Sequence, residues 1–257
     1  MMSGREVSMP SFYSLGFLAS GGRSRKISVM ARFTSYGVCE LCGKRTTKAA
    51  MTRHLKSCPE KHDSSRGKPV RMLRLRIEDA YSPLFWMDVE MKANSKLEDL
   101  DDFLRGMWLE CCGHLSAFYI EDITYMLTQA AGMGGPFADP DERDMRAKLE
   151  DVLSEGTRFH HVYDFGTSTE LKLRVVGERE GRIGGGLLLR PLSQNEAPVW
   201  ECDVCGGEAT EICTMCIYEK ENPFYCEEHA GDHGCEDAEM LLPVVNSPRM
   251  GMCGYEG

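Results

Sequence analysis

The chain has 257 residues, with 30 lysines and arginines against 40 aspartates and glutamates, for a formal net charge of −10. That length allows one mid-sized core plus small modules, and no stretch of about 18 apolar residues occurs, so no membrane-spanning helix is expected. The charge is uneven: residues 1–70 carry a net +9, residues 71–198 a net −8 and residues 199–257 a net −11. A basic head could touch nucleic acid, whereas an acidic body repels it. Six of the 12 cysteines fall in Cys-x2-Cys pairs, with histidines nearby, a pattern for zinc in a reducing compartment rather than for disulfides, and a cytoplasmic protein is expected.

Residues 1–36 are rich in Ser, Gly and Arg without hydrophobic period, and read as a disordered basic tail. Their apolar patch at 12–19 precedes the basic run Arg23-Ser-Arg25-Lys26, the reverse of a secretory signal. The first recognisable domain begins only after Met30, which makes Met30 a candidate start. Residues 37–62 hold Cys39-x2-Cys42 and His54-x3-Cys58. A two-residue gap lets a tight turn aim two thiolates at one tetrahedral ion, and a four-residue gap puts His54 and Cys58 on one face of a helix. Met51 and Leu55 share that spacing and can pack beneath the metal. The stretch resembles a Cys-Cys-His-Cys variant of the ββα zinc finger, with His62 as a reserve ligand. Its Lys44, Arg45, Lys48, Arg53 and Lys56 could contact phosphate. One finger reads only about three base pairs, so a structural or protein-binding finger is at least as well supported.

Residues 63–70 read as a polar linker to an α+β domain over 71–198. Leu73, Leu75 and Ile77 alternate with Arg74, Arg76 and Glu78, and Phe85, Met87, Val89 and Met91 alternate with Trp86, Asp88 and Glu90. This predicts a hairpin with one buried face. Ser95 with Glu98 forms a capping-box pattern before the stripe Leu97, Leu100, Leu104 and Met107. A strand is predicted over 115–120, a loop at Met133-Gly-Gly-Pro136, and a charged helix over 141–155 with Met145, Leu149 and Val152 on one face. Phe159, His161 and Tyr163, a turn at Gly166-Thr167, then Leu171, Leu173 and Val175 predict a second hairpin. The expected fold is α+β: a mostly antiparallel sheet with two helices, flanked by two small zinc-binding modules. Tyr163-Asp164-Phe165-Gly166, Ser168, Glu170, His114-Leu115 and Phe118 give residues 71–190 a resemblance to the plasmid Ri open-reading-frame-three-like family of mobile-element passenger or resolvase-like proteins. No secure biochemical role attaches to that family, so the resemblance implies a fold rather than an activity.

Residues 199–240 are the densest in ligands: Cys202-x2-Cys205, Cys213-x2-Cys216 and Cys226-x2-His229-x3-His233-x-Cys235. The stretch resembles a type-one B-box, and its order is also similar to a MYND finger. By analogy with such interleaved modules, Cys202, Cys205, Cys226 and His229 would hold one zinc, and Cys213, Cys216, His233 and Cys235 a second. B-boxes bind proteins and are not usually catalytic. Residues 241–257 form a C-terminal tail in which Val244 and Val245 could add a strand and Cys253 has no local partner.

Two groupings tempt a catalytic reading. His114, Asp164 and Glu170 could converge as acid, base or metal ligands. The competing reading makes Asp164 the cap of the Gly166 turn and His114 a core histidine, and nothing supplies a nucleophile. Cys111-Cys112 reads as a pair of buried small residues, since on a helix at most one of them would face His114. Closed, thiolate-rich sets of four ligands indicate structural zinc. The expectation is therefore a non-enzymatic adaptor with three Zn2+ per chain and a protein partner. Nucleic-acid binding through residues 23–68, or an enzyme using His114, Asp164 and Glu170, stand as alternatives.

Overall fold

The computed structural model describes residues 35–127, 141–235 and 240–257. Nearly all of the expected tail over 1–36, and the loop expected around Met133, lie outside them. In chain order, β1 (Tyr36–Cys39), β2 (Arg45–Thr47), α1 (Lys48–His54) and the single turn α2 (Cys58–Lys61) make the ββα unit. Next come β3 (Val70–Asp79), β4 (Trp86–Lys92), α3 (Leu97–Leu104), a π-helical turn (Arg105–Leu109), β5 (Ser116–Ile120) and β6 (Ile123–Met126). β7 (Glu142–Asp144), α4 (Leu149–Val152), β8 (Arg158–Tyr163), β9 (Thr169–Gly181) and β10 (Leu189–Asn195) complete the body.

These strands form one ten-stranded sheet in the order β2-β1-β10-β4-β3-β9-β8-β5-β6-β7. The two predicted hairpins are present: β3 with β4, Leu75 opposite Val89, and β8 with β9, Phe159 opposite Leu173. The expected fold class needs correction in two respects. The sheet is mixed, because β6 and β7 run parallel. Among the described residues six α-helices occur rather than two, and the helix expected over 141–155 is instead the strand β7, a turn and the single turn α4. The apolar spacing of Met145, Leu149 and Val152 suits a helix, but the Met145 N–H is taken by Met126 O at 3.0 Å, which extends the β6–β7 pairing. Helix α3 starts one residue later than the Ser95 cap implies: the Lys96 N–H donates to Asp99 Oδ2 at 2.8 Å.

One sheet face carries the main core, where Leu73, Leu75, Ile77, Met87 and Val89 meet Leu97, Leu100, Leu104 and Trp108. The opposite face was expected in water, yet β4 is buried on both sides. The ββα unit covers it. Trp86 is wholly buried among Cys39, Met51, Leu55, Cys58 and Leu192. At about 25 cal/mol per Å2 and roughly 200 Å2 for a tryptophan, that burial contributes about 5 kcal/mol before entropy is counted. Gly37 makes the approach possible, since a Cβ there would stand 2.6 Å from Trp86 Cη2. The arginines of β3 turn into this interface: Arg76 pairs with buried Asp88 at 2.8 Å and donates to Thr52 Oγ1, and Arg74 donates to Leu55 O. The expected linker is anchored too. Asp63 accepts from Arg179 at 2.7 Å and from Arg190 at 3.0 Å, and both guanidiniums also reach buried Glu90.

The C-terminal module has a separate sheet, β12-β11-β13, built from β11 (Glu211–Cys213), β12 (Phe224–Tyr225) and β13 (Leu241–Pro243), with the single turns α5 (Cys216–Glu219) and α6 (Glu227–Ala230). Its third strand lies beyond the expected boundary at 240. Trp200 stacks on Phe224 at 4.3 Å between ring centroids and also touches the main core. The chain leaves the body at Asn195 and returns at Asn246, whose side-chain amides bond at 2.7 Å. Residues after 246 then run back over the body: the Ser247 hydroxyl donates to Trp108 O at 2.7 Å, and Arg249 and Tyr255 are buried. Among the described residues no helix is long and apolar enough to cross a membrane.

Candidate metal centres

Zinc–sulfur bonds of about 2.3 Å place the sulfurs of a tetrahedral site about 3.8 Å apart, whereas a disulfide brings them to about 2.05 Å. The ββα unit meets the first condition. Cys39 at the end of β1 and Cys58 at the start of α2 hold their sulfurs 3.8 Å apart, and Cys42 Sγ lies 3.3 Å from His54 Nε2 at the end of α1. His62 stays outside the set, with Nδ1 2.9 Å from Cys58 O.

In the C-terminal module the ligands interleave in the order the B-box resemblance implies. Cys202, Cys205, Cys226 and His229 gather, with Cys205 and Cys226 sulfurs 3.8 Å apart and Cys226 Sγ 3.1 Å from His229 Nδ1. Cys213, Cys216, His233 and Cys235 gather likewise, with sulfur distances of 3.7 and 3.4 Å to Cys235. His233 is positioned for this role. Its Nδ1 is bonded to Ala230 O at 2.5 Å, which leaves Nε2 as the nitrogen that could ligate, and among the described residues that Nε2 is buried without a hydrogen-bond partner.

The thiols conflict with one another in a way a cation relieves. Burial raises the Cys202 pKa, but N–H bonds from Cys226, Cys205 and Val204 pull it down to about 6. Cys213 is likewise raised by burial and drawn down to about 7, chiefly by the N–H groups of Cys216 and Met215. Within the same set, the Cys216 and Cys213 thiols and burial push Cys235 up to about 12. Burial, then Cys42 and Cys39, pushes Cys58 to about 12. Within the set of Cys213 and Cys235 one thiolate thus forms readily while another is suppressed, and a bound dication would remove that suppression.

A fourth group was not anticipated. Cys111, Cys112, His114 and Cys253 place four ligand atoms within 4.8 Å of one another, as each of the other sets does. Its sulfurs stand 3.7 Å (Cys111–Cys112) and 3.6 Å (Cys112–Cys253) apart, and His114 Nε2 lies 2.9 Å from Cys112 and 3.2 Å from Cys253. Cys111 and Cys112 were expected to be buried small residues on a helix, Cys253 to have no local partner and His114 to be a core histidine. Instead the chain leaves helical geometry at Glu110 (φ −68°, ψ 116°), so adjacent thiols can turn to one point. A numerical signal was present in the sequence. The three expected sets use nine of the 12 cysteines, three each with one histidine, and what remains is three cysteines and four histidines, of which His114 joins the cysteines. Four Cys/His groups that could hold metal ions therefore account for every cysteine, and all 12 are free thiols.

The catalytic alternative is not assembled. His114 Nε2 and Asp164 Oδ2 are 3.5 Å apart, but Thr169 faces Arg249 while the next residue, Glu170, points to the other side of β9 and meets His160 at 2.8 Å and Tyr81 at 2.9 Å. Asp164 accepts the Gly166 N–H at 2.9 Å and a bond from Arg249 at 2.7 Å. Two of the basic residues offered for phosphate are engaged in ion pairs, Arg45 with Glu196 at 2.5 Å and Lys48 with Glu78 at 3.0 Å.

No protein-family profile matches the chain, and no curated protein does. Among solved structures, the chain is similar to a protein of unknown function from Methanosarcina mazei Go1, at 15% identity and a TM-score of 0.39 over 49% of this chain and 68% of that one.

Proposed function

We propose that the chain is a zinc-binding interaction protein, an adaptor without catalytic chemistry of its own, whose C-terminal module docks a protein partner. Zinc suits sets of three thiolates and one imidazole. Such sets fill all four positions and leave none for a substrate, and free thiols fit a reducing compartment such as the cytoplasm.

The observation that carries the docking reading is where the module leaves apolar side chains exposed. Val204 (58% exposed) and Met215 (46%) sit inside the two Cys-x2-Cys turns, and Tyr218 (69%) follows on α5. Zinc rather than packing holds these turns, so their side chains are free to serve a partner's surface. With a net −11 over residues 199–257, the partner surface that fits is apolar with a basic rim.

The test uses the full-length chain as bait against the double variant Met215→Glu/Tyr218→Glu, with zinc content measured in both. Partner recovery should fall about tenfold or more, as for loss of an aromatic anchor, at unchanged zinc content. Undiminished recovery by the variant, or recovery of nucleic acid alone, would refute the reading.

A further inference from the structure

We infer that Cys111, Cys112, His114 and Cys253 bind a fourth zinc that pins the C-terminal segment to the body and thereby sets the orientation of the double-zinc module. The inference rests on the zinc reading above and extends it to a site of another kind. The other three sets join residues close in sequence, whereas Cys112 and Cys253 are 141 positions apart.

The surroundings suit a metal centre of this composition. Zinc with three thiolates and a neutral imidazole carries one net negative charge. The wholly buried Arg249 guanidinium lies against it, with Nη2 3.5 Å from Cys111 Sγ. Arg249 is held in place by Asp164 Oδ2 at 2.7 Å, Thr167 O at 2.5 Å and Thr169 Oγ1 at 3.2 Å. Partners of this kind orient ligands and balance their charge. Cys253 adopts φ +48°, a left-handed conformation that residues other than glycine rarely take and that is retained where surrounding contacts require it.

The segment that would be pinned lies between the two larger parts. On one side Ser247 and Arg249 bond the body. On the other, Met250 packs against the module's core, and Gly251 sits so close to Ile217 that a Cβ would meet its Cδ1 at 2.6 Å. Fixing Cys253 therefore fixes the strip on which the module rests. This set is also the only one of the four with no buried ligand, so a chelator should empty it first.

Native mass spectrometry of the full chain, prepared with zinc and without chelator, should count four zincs. Cys253→Ser and His114→Asn, both at positions outside the core, should each leave three. Amide exchange at residues 247–255 should quicken about tenfold or more in both variants. It should be unchanged in Cys39→Ser, which loses a different zinc. Three zincs in wild type and in both variants would overturn the fourth site and leave the adaptor reading standing. Four zincs throughout, or a Cys112–Cys253 disulfide in place of metal, would also overturn it. No zinc in wild type would overturn both readings.

Discussion

The ββα unit and the C-terminal module use the same ligand chemistry for different structural ends. The first is built into the body: its hairpin extends the ten-stranded sheet through β1–β10 pairing, and its helix buries Trp86 and Leu192. The second has its own three-stranded sheet and two small apolar clusters, one of them centred on the ligands Cys213 and Cys216. A metal in the first site would reinforce an edge that packing already holds. Metals in the module would replace a core that some 45 residues cannot build alone.

The largest effect should follow from removing metal from the module. Structural zinc supplies on the order of 10 kcal/mol to folds of this size, so Cys213→Ser or chelation should abolish amide protection in β11–β13 while β3 and β4 stay protected. Equal loss in both regions would erase the contrast. Next is Trp86→Ala, which removes the side chain shared by finger and body and should destabilise both together by about 3–5 kcal/mol in urea unfolding. Arg76→Ala should follow at about 3 kcal/mol. Among the described residues it leaves Asp88, 1% exposed, with the Ser193 hydroxyl as its hydrogen-bond donor, and it cuts the bond to Thr52.

A smaller, pH-dependent effect belongs to Asp63. Its bond to Arg179 is the chief reason its pKa is lowered, against the opposing effect of burial. A depressed carboxylate pKa contributes stability that is complete above the unfolded value of about 3.9 and is lost as pH falls below it. Asp63→Asn should therefore lower the urea midpoint at pH 7 and flatten its decline below about pH 4. Smallest is Arg45→Ala, whose ion pair with Glu196 is exposed and should leave the unfolding midpoint unchanged.

What could be read from sequence was whatever is written locally. Cys-x2-Cys pairs announce metal turns, and Leu73–Leu75–Ile77 announces an inward strand face through its period of two. The other face of that strand was misleading, because Arg74 and Arg76 read as solvated while the structure sets them against α1. Alternation describes one strand and does not say what lands on its polar side. Cys253 failed for a related reason: its companions lie across the whole body, and only the count of leftover cysteines hinted at them. The stretch 141–155 failed because a three-residue apolar spacing fits both a helix and a strand followed by a turn.

The Asn195–Asn246 pair has a consequence for how the gene could be edited. The two positions are 51 apart in the chain yet share a hydrogen bond between their side-chain amides, so the polypeptide exits and re-enters the body at one spot. Everything between them is an insertion in the topological sense, and a short turn could rejoin the cut ends. Such a shortened chain would keep Cys111, Cys112, His114 and Cys253, none of which lies in the excised loop. The last twelve residues thus belong to the parent scaffold, and the module is the transplantable part.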